Sequence, residues 1–157
     1  MNPKVYLETT IPSYLTSRPS RDLMVAAHQQ STSDWWHDHR HRFSLFVSER
    51  VLTEAGSGDA SAAARRLAVL AGIPELEFTP EARDLARRFL TEGALPEKSL
   101  EDAIHVAIAT VNGMDFLVTW NCRHIVNAEI MKRLVKIAEG AGYSLPVLCT
   151  PEQLMGN

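Results

Sequence analysis

Three acids and one amide in this chain have residue types and positions that suit metal-dependent chemistry. Glu8 follows the apolar run at residues 5–7, Glu54 lies in V-S-E-R-V-L-T-E, Asp102 in S-L-E-D-A-I-H, and Asn121 in L-V-T-W-N-C-R-H. Clustered carboxylates repel one another, and a divalent cation removes that repulsion. Ligation by oxygen alone suits Mg²⁺ or Mn²⁺, which can hold a phosphodiester and lower the pKa of a bound water. We therefore expect Glu8, Glu54 and Asp102 to hold the metal and Asn121 to orient a water or a ligand.

The elements that must position these side chains are short apolar strands that alternate with helical segments. Strands are predicted at residues 4–7, 43–47, 76–78, 116–119 and 146–149, and helices at about 21–39, 60–70, 80–90, 100–111 and 128–138. The strands are almost continuously apolar, which is typical of parallel strands covered on both faces. This pattern predicts one domain over residues 1–157, with a three-layer α/β/α sandwich and a mainly parallel five-stranded sheet.

The four polar residues are expected at one edge of that sheet. Glu8 ends the first strand, and Asn121 follows the fourth. Glu54 lies one to two turns into a helix that Ser48 is expected to cap after the second strand, and Asp102 lies in the first turn of a later helix. In open parallel sheets the ligand crevice lies beyond the carboxyl ends of the strands, so the four side chains should converge there.

Each residue also has a purely structural interpretation. Glu8 can be a solvated strand end, Glu54 a surface residue of its helix and Asn121 a turn-former. Ser99 and Asp102 together resemble a helix capping box. Their joint placement favours the functional interpretation.

Several neighbours are candidates for a supporting role. We assign Thr9, Thr119, Arg123 and His124 to substrate binding: the threonines could hydrogen-bond a ligand carboxylate or a metal-bound water, or simply cap a strand, and the other two could contact a phosphate. His105 shares the predicted helix of the third acid and could either support the site or pack in the core.

A histidine-rich stretch, D-W-W-H-D-H-R-H-R, offers a different metal site. His37 and His41 are spaced by one helical turn, as in some zinc sites, but no acid or cysteine stands at a convincing spacing. The stretch precedes the second strand, at the opposite edge of the sheet. A solvated helix end is the favoured interpretation.

Composition excludes several classes of protein. The 157 residues are 45% apolar and 22% charged, as in soluble globular proteins. No apolar run approaches the roughly 18 residues needed to span a bilayer, and no signal peptide is recognisable, so a cytoplasmic protein is expected. Cys122 and Cys149 have no C-x-x-C spacing, which predicts reduced thiols. The net charge of −3 gives no global attraction to nucleic acid.

The order of Y-L-E-T-T-I-P-S-Y-L, V-S-E-R-V-L-T-E, S-L-E-D-A-I-H-V-A-I-A and D-F-L-V-T-W-N-C-R-H-I-V-N resembles a PIN domain, in particular the VapC-like toxin–antitoxin ribonucleases. The resemblance extends from Val5 to about Gln153. It implies strand order 3-2-1-4-5 and an Mg²⁺- or Mn²⁺-dependent endoribonuclease that cleaves single-stranded RNA by metal-activated water. It further implies a cognate antitoxin and a homodimer, for which Ile11, Pro12, Tyr14 and Leu15 could supply apolar surface.

Carried over by position, Glu8, Glu54 and Asp102 take the first, second and third acidic places of that family. The first place is usually Asp, and the place of Asn121 is often Asp, so this chain has three formal negative charges where relatives often have four.

Three alternatives remain open at this point. A degenerate PIN domain would bind RNA or a protein without cutting. A flavodoxin- or receiver-like domain shares the layered class, but the chain has no paired acids at the first strand tip, no G-x-G-x-x-G and no P-loop. A ribonuclease could also use a histidine pair, here His105 and His124, without metal.

Overall fold

The computed structural model describes residues 1–156, and its five strands form one parallel sheet. The strands are β1 (Lys4–Leu7), β2 (Ser44–Ser48), β3 (Glu75–Leu76), β4 (Phe116–Val118) and β5 (Val147–Cys149). Their order is β3-β2-β1-β4-β5, as predicted. The central strand is β1, in which Tyr6 pairs with Phe46 of β2 on one side and with Leu117 of β4 on the other.

Seven α-helices cover the two faces of this sheet among the described residues. They are α1 (Thr10–Thr16), α2 (Leu23–Asp34), α3 (Glu49–Ala55), α4 (Ala60–Leu70), α5 (Pro80–Thr91), α6 (Leu100–Val111) and α7 (Ala128–Gly140). Helix α1 packs on α2 and α4, whereas α5 packs on α6 and α7. The predicted three-layer α/β/α architecture is therefore confirmed. None of the helices within residues 1–156 combines the length and the apolar composition needed to cross a membrane.

Four shorter helical segments are also present within residues 1–156. A π-helix (Trp35–His39) follows α2 directly, and 3-10 turns lie at Arg40–Arg42, Glu97–Ser99 and Pro151–Leu154. The single helix predicted over residues 21–39 is thus two helical segments, because its last turn widens from α to π geometry. Trp35 and Trp36 of that turn are buried in the core.

Helix α1 is not among the helices predicted from the sequence. Pro12 lies in the first turn of α1, where a missing backbone N–H removes no helical hydrogen bond. Ile11 is fully buried, and this burial stabilises the helix. The side chain of Thr9, the N-cap residue, makes no capping hydrogen bond and points elsewhere.

The predicted cap of α3 is confirmed. Ser48 caps α3 by accepting a hydrogen bond from the backbone N–H of Val51, and Thr79 caps α5 by accepting one from Ala82. Gly113, just after α6, has a φ of 70°, a left-handed conformation that favours glycine. Because β2 runs directly into α3, the start of α3 is held at the carboxyl edge of the sheet.

The middle of the core is formed by β1 and α6. Val5, Tyr6 and Leu7 are each 0% exposed, and all residues from 103 to 110 of α6 are buried. A helix that is apolar all round is typical of a buried element. Any polar side chain on this part of α6 must therefore find a partner inside the protein.

Candidate metal centre

Glu8 stands at the carboxyl end of β1 and is only 8% exposed. Its Oε1 atom accepts hydrogen bonds from the backbone N–H of Thr10 (3.0 Å), the hydroxyl of Thr10 (2.5 Å) and the hydroxyl of Thr119 (2.6 Å). Donors of this kind stabilise a charged carboxylate. No donor within residues 1–156 contacts Oε2, which is unpaired and keeps some contact with solvent.

Glu54 lies on α3 and presents its carboxylate in the same way. Its Oε1 atom accepts from the hydroxyl of Thr9 (2.5 Å) and from Nε2 of His105 (2.7 Å), while Oε2 has no donor in the described part of the chain. Burial by itself would raise the pKa of Glu54. The hydrogen bond and charge of His105, followed by Thr9 and Arg50, outweigh burial and lower it. Glu54 is therefore held as a carboxylate.

A buried hydrogen-bond chain orients His105 behind Glu54. Nδ1 of His105 is 2.7 Å from the Tyr6 hydroxyl, which is 2.8 Å from Oγ of Ser48. Burial raises the pKa of Tyr6, so its phenol stays neutral. Burial would lower the pKa of His105, but the hydrogen bond to Glu54 and the charges of nearby carboxylates, first that of Glu8, raise it.

In both charge states of His105, Nε2 donates to Glu54. When the ring is neutral, Tyr6 donates to Nδ1; when it is charged, Nδ1 donates to Tyr6 and Tyr6 donates to Ser48. Because Nε2 keeps its proton in either case, His105 orients Glu54 rather than offering a lone pair to a metal.

The two glutamates and His105 come together closely. Atoms of Glu8, Glu54 and His105 that could ligate a metal lie within 4.8 Å of one another. Each carboxylate has one oxygen fixed by donors and one left open, and open carboxylate oxygens are the ligands that Mg²⁺ and Mn²⁺ prefer. The donor set therefore fits a hard divalent cation held by Glu8 and Glu54.

Asp102 lies outside this trio and forms a second cluster beside it. Its Oδ1 accepts from Nδ2 of Asn121 (2.9 Å), and its Oδ2 is 3.1 Å from Nδ1 of His124. Oδ1 of Asn121 in turn accepts from the backbone N–H of His124 (3.0 Å). Ser99 makes no side-chain capping bond at the start of α6, so the capping-box interpretation of Asp102 is wrong.

The two clusters share one hydroxyl. Thr119, fully buried after β4, donates to Glu8 and accepts from the backbone N–H of Asn121 at 2.9 Å. The hydroxyl of Thr10, which donates to Glu8, accepts from the backbone N–H of Trp120, the residue before Asn121, at 2.8 Å. All four polar residues expected at the carboxyl edge of the sheet are therefore found there, in two connected groups.

No family model matches this chain, and no curated protein matches it.

The residues assigned to substrate binding have different surroundings. Thr9 and Thr119 hydrogen-bond the glutamates, which is one of the two roles considered for them. His124 is bonded to Asp102. Arg123 is exposed, and its guanidinium has no acidic partner among residues 1–156.

The histidine-rich stretch does not form a metal group in the described chain. His37 and His41 are exposed, on the π-helix and the 3-10 turn before β2. Within residues 1–156 the single group with metal-ligand geometry is that of Glu8, Glu54 and His105. The interpretation as a solvated helix end agrees with this placement.

Two contributors were missed from the sequence. Tyr6 and Thr10 are not among the predicted site residues, although both contact the site. A tyrosine inside an otherwise aliphatic central strand is a usable signal, because a buried phenol needs a hydrogen-bond partner. The second threonine of E-T-T is another, since a hydroxyl two residues after a carboxylate can reach it.

Proposed function

We propose that this protein is an Mg²⁺- or Mn²⁺-dependent endoribonuclease that cleaves single-stranded RNA in the cytoplasm, as the toxin of a toxin–antitoxin pair of the VapC-like PIN type. The supporting observation is the pair of glutamates at the sheet edge. Oε1 of Glu8 and of Glu54 is held by threonine and histidine donors, and each Oε2 is open. Two carboxylates that each have one oxygen fixed by donors and one oxygen open suit phosphodiester chemistry better than they suit a structural ion pair.

The residues have distinct roles in this proposal. Glu8 and Glu54 would hold the cation, which supplies water activation and charge stabilisation at the phosphate when bound. Thr10, Thr119, Thr9 and His105 keep those carboxylates in place through the hydrogen bonds described above. Asp102 adds a third negative charge, and Asn121 fixes its orientation.

The chemistry of the RNA ends tests the proposal. In-line attack by water leaves a 5′-phosphate and a 3′-hydroxyl, stops on addition of EDTA and needs no RNA 2′-hydroxyl. A histidine-pair mechanism would leave a cyclic phosphate. His105 is 2% exposed and lies behind Glu54, where it has no route to a 2′-hydroxyl. Cyclic phosphate ends, or full activity in EDTA, would contradict a metal mechanism.

The substitution Asp102→Asn separates a catalytic acid from a structural one. Asn keeps the size of the side chain and its contact with Asn121, but removes the negative charge. We expect loss of RNA cleavage with an unchanged far-UV circular dichroism spectrum. Cleavage at the wild-type rate would reduce Asp102 to a partner of Asn121 and His124.

A second candidate function is that of a binding module without nuclease activity. The observation that favours it is the state of Asp102, both of whose oxygens already have partners, one of them the neutral Asn121. Calorimetric titration with Mn²⁺ distinguishes the two functions. A degenerate site should bind Mn²⁺ weakly and bind RNA without cutting it.

The proposal includes an antitoxin partner and a homodimer. Ile11 and Pro12 are buried inside the protein, so they cannot supply dimer surface; Tyr14 and Leu15 remain partly accessible. Sedimentation at high protein concentration tests the dimer, and a monomer alone would contradict it. A short open reading frame next to the gene would support the antitoxin.

A further inference from the structure

A groove beside the metal centre combines arginines with an apolar wall. It is a cavity of about 370 Å³ between α3, α5 and α6, lined by Arg50, Arg83, Arg87, Phe78 and apolar side chains that include Leu90 and Ile104. A smaller cavity of about 260 Å³ adjoins it and shares Arg50 and Phe78. The larger volume lies within the roughly 300–1,000 Å³ of pockets that hold small ligands.

The groove lies next to the acids. Arg50 is one helical turn before Glu54 on α3, so the two side chains share a face of that helix. On α6, Ile104 lines the groove and is the neighbour of His105 in sequence. The groove therefore begins one helical turn from Glu54 along α3.

The charge of the groove is unlike that of the whole protein. No acid lines the larger cavity, although the net charge of the chain is −3. Arg50 forms an ion pair with Glu101 (2.8 Å), and Arg87 has a looser one with Asp84 (3.6 Å). The guanidinium of Arg83 has no acidic partner within residues 1–156, and is thus available to an anion.

Phe78 is the flat apolar element of the groove. The guanidinium carbons of Arg50 and Arg83 each lie 5.5 Å from the centre of its ring. Aromatic rings and guanidinium planes both stack on bases of single-stranded nucleic acid, and arginines track its phosphates. A base-paired duplex hides the faces of its bases and could not use such a surface.

We propose that this groove holds a nucleotide adjacent to the scissile phosphate of single-stranded RNA. The base lies against Phe78 and the apolar wall of α5 and α6, and the phosphate of that nucleotide contacts Arg83 and Arg87. This inference rests on the proposed ribonuclease function and specifies how its substrate is bound.

The test measures binding separately from cleavage. The probe is a short fluorescein-labelled single-stranded RNA of randomised sequence, titrated in EDTA and followed by fluorescence anisotropy over a series of salt concentrations. Each neutralised phosphate contributes about 0.7 to the slope of log K against log salt for single strands. Because Arg83 and Arg87 share one phosphate, R83A/R87A should make the slope shallower by about 0.7. F78L should weaken binding at least about fivefold at every salt concentration and leave the slope unchanged.

A control is available outside the groove. Arg65 on α4 is exposed, hydrogen-bonds to Ser61 and lines neither cavity, so R65A removes one positive charge without changing the groove. The inference is supported if R65A keeps the wild-type slope and affinity while R83A/R87A has a shallower slope and F78L binds more weakly. The same slope and affinity in R83A/R87A and in R65A would overturn it, as would equal loss of duplex and single-strand binding in F78L.

Cleavage by the wild-type protein with Mn²⁺ is measured in parallel. If the wild type cleaves RNA and the groove variants bind it normally, the groove inference fails and the ribonuclease proposal stands. If the wild type does not cleave but R83A/R87A loses binding, the ribonuclease proposal fails and the groove remains an RNA-binding surface. Thermal unfolding of each variant checks that the fold is intact.

Discussion

Thr119 is the residue whose replacement tests the candidate metal centre most directly. It is 0% exposed, and its hydroxyl donates to Glu8 at 2.6 Å while accepting from the backbone N–H of Asn121 at 2.9 Å. Thr119→Val keeps the branched shape and removes the hydroxyl. Glu8 keeps its two donors from Thr10 but can rotate away from the crevice, and the N–H of Asn121 loses its acceptor.

The expected size of the effect follows from these contacts. A hydrogen bond to a charged group contributes about 1.5–3 kcal/mol. For a protein of 157 residues, 1 kcal/mol shifts the melting temperature by about 2–4 °C, so we expect Tm to fall by roughly 3–12 °C. Removing a group that orients a metal ligand typically weakens metal binding about 10- to 100-fold. We expect that loss for Mn²⁺.

Thr110→Val is the matched control. Thr110 is 3% exposed, and its hydroxyl donates to the backbone carbonyl of Val106 within α6, away from the acids. This neutral bond should contribute about 0.5–1.5 kcal/mol, and Mn²⁺ affinity should not change. Scanning calorimetry gives Tm and isothermal titration gives the Mn²⁺ affinity. Equal Mn²⁺ affinity in Thr119→Val, Thr110→Val and the wild type would refute a metal site that depends on the orientation of Glu8.

Three further predictions concern the same clusters. Asn121→Asp places a second carboxylate against Asp102, so the Tm of the metal-free protein should fall. Adding Mn²⁺ should then raise Tm by more than it does in the wild type. An equal rise in the two proteins, measured by scanning fluorimetry, would contradict a metal near Asn121. Tyr6→Phe leaves Nδ1 of His105 without its buried partner, so the free energy of unfolding in urea should fall by about 1–3 kcal/mol, and an unchanged value would contradict the hydrogen-bond chain. The ordinary pKa is 4.5 for Glu54 and 6.5 for His105, and the Glu54–His105 pair should stabilise the fold fully between these two pH values. The stabilisation should be lost as pH falls through the lowered pKa of Glu54, and also as pH rises through the raised pKa of His105. The difference in unfolding free energy between wild type and Glu54→Gln should therefore be largest in that window, and a difference independent of pH would contradict the ion pair.

Much of the fold was predictable because its signals are local. Helices α4 and α6 have the bounds predicted from their apolar periodicity, and Thr79 caps α5 as its T-P-E sequence indicates. The order of the strands came from the family resemblance rather than from local signals. Helix α1 was missed because a proline in a first helical turn has the same sequence appearance as a proline in a loop.

The candidate site was predictable as a place but not as a set of contacts. Strand ends put Glu8 and Asn121 at one edge of the sheet, which any parallel arrangement would do. Whether Asp102 joins Glu8 or pairs with His124 depends on side-chain orientations set by packing between α6 and β4. The two possibilities held open for His105 are both correct, since it is buried in the core and hydrogen-bonds Glu54.

The position of β1 in the sheet also determines when the centre can assemble. It is the first of the five strands in chain order, yet it lies in the middle of the sheet. The Thr119 hydroxyl that donates to Glu8 is 111 residues further along the chain. Pairings of such long sequence separation form slowly, because closing a long loop is entropically unfavourable. A nascent chain that has produced Glu8 and Glu54 but has not yet released β4 from the ribosome has neither Thr119 nor Asn121 in place. The order of synthesis thereby delays assembly of the acid clusters until the sheet is nearly complete.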